Sequence, residues 1–148
     1  MTTAEKIQLL RNLPGFQNAE ESALVALVDN AQEFLFTSGQ VIAREGQMGT
    51  GMYLILEGRV GVVRHGVQVD TSGPGEFIGE LSPLNQTPRI ATLTAVEPVV
   101  CLGVASWLLD DLLKQPAIAE RVRRDAQAHR DAEEQRRAAE ARAGNQPA

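Results

Sequence analysis

Between Gly75 and Leu93 the chain reads Gly75-Glu76-Phe77-Ile78-Gly79-Glu80-Leu81-Ser82-Pro83-Leu84-Asn85-Gln86-Thr87-Pro88-Arg89-Ile90-Ala91-Thr92-Leu93. These residue types suit the binding of a sugar phosphate. Ser82-Pro83 fits the first turn of a very short helix, because proline tolerates a position whose N–H is unbonded. The free N–H groups of such a turn converge on one spot and favour an anion there. Gly79 lets the backbone come close to a ligand. Ten residues further on, Arg89, positioned by Pro88, offers a planar pair of donors to a phosphate. Glu80 only accepts when ionised, which suits a sugar hydroxyl beside the anion.

The remaining reactive residues point to no catalytic chemistry. Cys101 is the one cysteine, so a disulfide within the chain is impossible. Its place in Val99-Val100-Cys101-Leu102 predicts a buried thiol acting as a small hydrophobe. His65 and His129, the two histidines, are too few and too far apart for a His/Cys zinc site. His65 sits in a hairpin turn with Gly66 and is expected exposed; His129 is expected on a polar helix surface. There is no Gly-x-Ser-x-Gly elbow, Cys/His pair or metal cluster, so no enzyme is expected.

The elements that must position the sugar-phosphate segment follow from the pattern around it. Thr3 to Asn12 is predicted helical, stopped by Pro14-Gly15. Asn18 with Glu21 resembles a capping box opening a second helix, with Leu24, Leu27 and Val28 on one face. Short β-rich runs follow: Glu33–Phe36, Gln40–Ala43, Met52–Leu56, Arg59–Arg64, Val67–Thr71, Ala91–Ala95 and Val99–Val104. Glycine-containing turns and Glu97-Pro98 separate them, and this regular spacing predicts an antiparallel double-stranded β-helix, a jelly-roll barrel. Ser106 is placed to cap a helix over Trp107–Lys114, broken by Pro116. Trp107 is expected to pack the final helices onto the barrel. Residues 117–143 contain no glycine or proline and form a helix by propensity. Its apolar stripe starts at Ile118 and Val122 and fades to alanines, so only its first turns are expected to dock. Residues 144–148 are expected to be disordered.

The 148 residues are enough for one domain with a core of its own. We divide them into a β-barrel with flanking helices over 1–116, a charged helix over 117–143 acting as a lid or partner contact, and the tail 144–148. The net charge is −5, with the part from Ala117 onward at +1 and everything before it at −6. An acidic body is a poor surface for nucleic acid. The first residues lack the pattern of a secretory signal and no apolar run approaches the ~20 residues of a membrane span, so a soluble, cytoplasmic protein is expected.

The segment from Gly75 to Leu93 closely resembles the phosphate-binding cassette of the cyclic nucleotide-binding domain family. The resemblance extends to Leu9-Leu10-Arg11-Asn12-Leu13-Pro14-Gly15-Phe16, Val41-Ile42-Ala43-Arg44-Glu45-Gly46 and Met52-Tyr53-Leu54-Ile55-Leu56-Glu57-Gly58-Arg59-Val60, covering about residues 5 to 125. It is the module of catabolite activators and protein kinase A regulatory subunits. The resemblance implies that Arg89 binds the exocyclic phosphate oxygens, and that Glu80 and the Gly79 amide hold the ribose 2′-hydroxyl. Leu81 falls within the same ligand-binding run, and the amides of Ser82 and Ile90 complete the phosphate cradle. Val62 forms a wall against the base. A C-terminal lid residue closes the base side in the family, for which Arg121, Arg123 and Arg124 are candidates. Ser82-Pro83 and Ile90 depart from the pattern, which usually has Ala-Leu and a small or hydroxyl residue there. Ile90 offers no hydroxyl to guanine, so cyclic AMP is expected over cyclic GMP.

What the resemblance implies is a stand-alone receptor with no other cofactor, signalling through an unidentified effector protein. The alternative is a ligand-silent module of the same fold that acts by protein contact. No helix-turn-helix segment follows the long helix, so a DNA-binding regulator is not expected. Spacing from Val122 through Ala126, His129, Glu133, Arg136 and Glu140 is too polar for a coiled coil, and a monomer is favoured.

Overall fold

A computed structural model describes residues 1–80 and 87–144. Leu81, Ser82 and the expected helical turn at Ser82-Pro83 lie outside the described residues, as do 145–148 of the expected tail. Two helices, α1 (Thr3–Arg11) and α2 (Glu21–Asp29), precede eight strands: β1 (Gln32–Phe36), β2 (Val41–Ala43), β3 (Gly51–Glu57), β4 (Val60–Arg64), β5 (Val67–Ser72), β6 (Phe77–Ile78), β7 (Thr92–Ala95) and β8 (Val99–Ala105). A 3-10 turn (Ser106–Leu108) leads into the short α3 (Leu109–Leu112), and α4 (Pro116–Gly144) closes the fold. Pro116 separates these two helices as expected and also opens the second, where its missing N–H costs nothing in a first turn.

The strands form two four-stranded antiparallel sheets, in the orders β1-β8-β3-β6 and β2-β7-β4-β5. This is the expected jelly-roll barrel with helices before and after it. β3 and β8 are nearly continuous apolar runs because both of their faces are covered. Met52, Leu54 and Leu56 on β3, with Leu102 and Val104 on β8, meet Leu10, Leu24, Leu27, Ile118 and Val122 from the helices and Phe16 from the turn between α1 and α2. The alternate residues, Ile55, Val99 and Cys101, face Val60, Leu93 and Ala95 of the second sheet. Burial of these side chains in two layers is the main stabilising term, at about 1.5–3 kcal/mol for each large one. At Gly103 a Cβ would lie 2.5 Å from the Phe34 ring. That space admits the cluster of Phe34, Phe36 and Tyr53, whose ring centroids are 5.9–6.4 Å apart.

Local expectations failed where packing overrode capping. α2 starts at Glu21 with no side-chain cap. Asn18 lies instead in a turn closed by the Ala19 N–H on the Phe16 carbonyl at 3.2 Å, and it is the buried Phe16 that sets this geometry. Ser106 makes no side-chain cap either; its N–H donates to the Thr50 carbonyl at 2.7 Å. The tight turn that results leaves Trp107 77% exposed, contrary to the expectation that it joins the final helices to the barrel. Leu109 and Leu112 make that join. Phe77–Ile78, read as part of a non-strand segment, pairs with Tyr53 and Leu54 as β6.

The largest departure is α4. Expected to dock only by its first turns, it stays docked as far as Glu140 through polar contacts. Asp125 Oδ2 accepts from the Phe77 N–H at 2.9 Å, covering the edge strand β6. Glu133 is buried on Arg64, and Arg64 Nε and Nη2 donate to the two oxygens of Glu140 at 3.1 and 3.3 Å. A stripe that fades from aliphatic to charged still docks when its partner surface supplies the complementary groups.

Candidate functional site

The sugar-phosphate segment folds back on itself. At Gly79 the backbone takes φ +71°, and a Cβ there would lie 2.5 Å from Arg89 Nη1, so glycine is required both for conformation and for space. Arg89 reaches over this position. Its Nη1 donates to the Gly79 carbonyl at 3.2 Å and its Nη2 to the Gly51 carbonyl at 3.1 Å. Its backbone is pinned as well: the N–H donates to Gln47 at 2.8 Å, and the carbonyl accepts from the Gly46 N–H at 2.9 Å. The guanidinium is thus pre-oriented, with donors left over for a phosphate. Burial lowers its pKa, opposed by the charges of Tyr53 and Glu80. Burial likewise raises that of Tyr53, with Arg89 opposing.

Glu80 is completely buried. One of its oxygens meets His129 Nδ1, and the other, Oε2, has no hydrogen-bond partner among the described residues. A buried carboxylate oxygen without a donor is unfavourable by about 1–3 kcal/mol or more, and a hydrogen-bond donor, a hydroxyl among them, would satisfy it. Val62, Gly79, Glu80, Arg89 and Ile90 line one cavity with Asp70 and Ser72. The structure therefore brings together five of the residues singled out from the sequence.

It does not bring Arg121, Arg123 or Arg124 to that cavity. Arg121 donates to Asp125 at 3.3 Å and lies over the Phe16 ring at 5.9 Å; Arg124 pairs with Glu120 at 3.3 Å; Arg123 is exposed. The α4 residues that line the cavity are His129, Ala132 and Arg136. Their spacing continues the face of Ile118, Val122 and Asp125. That face could have been found by following spacing alone, without requiring apolar residues along it.

His129, expected on the polar surface, has only a quarter of its side chain exposed. Burial opposes its protonation, but the hydrogen bond to Glu80 and the charges of Glu80, Asp125 and Glu76 outweigh burial, and its pKa is raised. The Asp125 carboxyl is also raised, by burial, against the lowering effects of the Phe77 N–H and Arg121. Among the described residues no His/Cys/Asp/Glu group could hold a metal ion, and no helix is long and apolar enough to cross a membrane.

With an arginine and a buried glutamate facing one cavity of a jelly roll, the comparison with known proteins is decisive. The description "cyclic nucleotide-binding domain" matches residues 33–115. The chain belongs to the cyclic nucleotide-binding domain family. It is similar to the cAMP-dependent protein kinase regulatory subunit of Yarrowia lipolytica, 36% identical over 95 residues, which are 64% of this chain and 24% of that protein. A cyclic nucleotide-gated potassium channel of Rhizobium etli is 34% identical over 120 residues, 80% of this chain and 34% of the channel. The solved structure of the Thermus thermophilus catabolite activator protein superposes with a TM-score of 0.69 at 28% identity, covering 82% of this chain and 61% of that one. The chain thus spans about a quarter to a third of the curated relatives it matches here. What it shares with them is a regulatory cyclic nucleotide-binding fold.

Proposed function

We propose that this cyclic nucleotide-binding domain is a receptor for cyclic AMP that reports binding to a partner protein through α4. The observation that carries the reading is Glu80: wholly buried, one oxygen without a partner among the described residues, and lining the same cavity as Arg89. Arg89 is assigned to the exocyclic phosphate oxygens, Glu80 and the Gly79 amide to the ribose 2′-hydroxyl, and Val62 to a wall against the base. The amides of Ile90 and Ser82, the latter outside the described residues like its neighbour Leu81, complete the cradle. Ile90 lines the cavity and carries no hydroxyl, which supports cyclic AMP over cyclic GMP.

A second reading, a silent module of the same fold, is favoured by one observation. The cavity measures about 60 Å³, well below the roughly 300–1,000 Å³ of a small-molecule pocket. Calorimetry on the full chain separates the two readings. Saturable binding of cyclic AMP, tighter than that of cyclic GMP, is expected. Equal or tighter binding of cyclic GMP would show that another position reads the base, and no heat at millimolar concentration of either nucleotide would leave the silent module.

A further inference from the structure

His129 stands on the carboxylate that a sugar hydroxyl would need. Its Nδ1 meets Glu80 Oε1, inside a site where Glu80 is completely buried. One and two turns on, Ala132 and Arg136 line the same cavity and reduce it to about 60 Å³. Arg136 Nε is itself buried without a hydrogen-bond partner among the described residues. On the outer side Glu133 and Glu140 hold Arg64, the last residue of β4. The segment of α4 from His129 to Glu140 is thus fastened near both of its own ends, over a cavity well below the roughly 300–1,000 Å³ of a small-molecule pocket. We propose that α4 is a built-in competitor of the ligand: His129 occupies the ribose-binding carboxylate, and nucleotide binding displaces the segment from His129 to Glu140. The identity of the displacing ligand rests on the receptor reading; the latch itself does not.

The latch carries its own pH dependence. His129 faces Glu80 and Glu76, which flank β6, and Asp125 on its own helix. Arg89, Asp70 and Arg136 border the same cavity. Three acidic groups hold the protonated imidazole, so docking is fully supported below the ordinary histidine value, about 6.5, and weakens as pH rises through the raised one. Displacing His129 therefore releases its proton. Nucleotide affinity rises with pH across that window, by at most about tenfold per pH unit, and levels off above it.

The test uses the full chain in wild-type form and as His129→Ala and His129→Gln. Calorimetry with cyclic AMP at pH 6 and pH 8 is expected to show tighter wild-type binding at pH 8. His129→Gln, which keeps a donor but does not titrate, should bind equally at both. His129→Ala should bind about tenfold tighter than wild type at pH 6, the scale of one lost charge-assisted hydrogen bond. Amide exchange over 126–140 should speed up on adding nucleotide. Unaltered affinity in His129→Ala, or slower exchange there with ligand, overturns the latch while leaving the receptor reading standing. A ligand-free arm decides the latch if none of the three proteins binds nucleotide, an outcome that overturns the receptor reading. In that arm the His129 ring is followed by NMR, with Glu80→Gln as reference. Titration above the ordinary range that reverts in Glu80→Gln supports the latch, and an ordinary titration in wild type overturns it.

Discussion

Arg89 has two tasks in this structure. Read from the sequence, it serves the ligand more than the barrel and its removal leaves the fold intact. In the structure it also donates to the carbonyls of Gly79 and Gly51. Arg89→Ala is therefore expected to weaken cyclic AMP by at least ~30-fold, the loss of one partner of a desolvated charge pair. It should also lower the melting temperature by several degrees, about 1–2 kcal/mol for two half-buried carbonyls left without their donor. Paired calorimetry and thermal melts check both, and an unchanged melting temperature would return Arg89 to a ligand role only. Cys101 makes a sharper residue-scale case. Burial between the sheets pushes its thiol up to about 12. The thiolate is the reactive form, so at pH 8 the native protein should resist a thiol reagent until it unfolds. Labelling at the rate of a free cysteine would contradict the packing of β8.

At the scale of elements, α4 is held in two different ways along its length. Its first turns bury Ile118 and Val122 in the core, and its later turns rest on Asp125, His129, Glu133 and Glu140 meeting polar groups of the barrel. Two substitutions should separate these halves. Asp125→Ala leaves the Phe77 N–H without its acceptor and is expected to cost about 1–3 kcal/mol of global stability, since that group lies in the interior. Arg64→Ala removes the anchor of Glu133 and Glu140 and should loosen only the outer half. Hydrogen exchange is then expected to rise at least ~tenfold over 130–144 and hardly at all over 116–124. Uniform loosening of the whole helix in Arg64→Ala would mean that the polar and apolar halves form a single cooperative unit.

For the whole molecule, two stacked sheets and a helical layer share β3 and β8 as a common wall, so the pocket and α4 are mechanically continuous with the core. A ligand that binds only the native state stabilises all of it. Cyclic AMP at about 100 times its apparent dissociation constant adds about 2.7 kcal/mol, a rise of several degrees for a domain of this size. Cyclic GMP at the same concentration should give a smaller rise. Scanning fluorimetry with an external dye is the suitable measurement, because Trp107, the one tryptophan, is 77% exposed and poorly placed to report on the core. No shift with either nucleotide in a folded sample would remove the receptor reading.

Strand alternation, glycine-punctuated turns and the order of motifs were legible in the residues alone, because burial on one or two faces leaves a period of two that survives any detail of packing. Seven of the eight strands among the described residues are recovered to within two residues on that basis. β6 was lost because Phe77–Ile78 is too short to show a period. That Arg89, Glu80 and Gly79 share one cavity was legible because their chemistry is local, a fork donor, an acceptor and a flexible backbone within one segment, whereas Val62 and Ile90 came from the family resemblance alone. The long-range pairings were not legible. Nothing in the sequence near His129 names Glu80, 49 positions away, and nothing near Glu133 names Arg64. A hydrophobic stripe declares its buried face by composition, whereas a polar stripe looks the same whether it faces water or a complementary wall. Only the folded barrel, by placing a buried carboxylate and the end of β4 along the path of α4, decides which of the two it is.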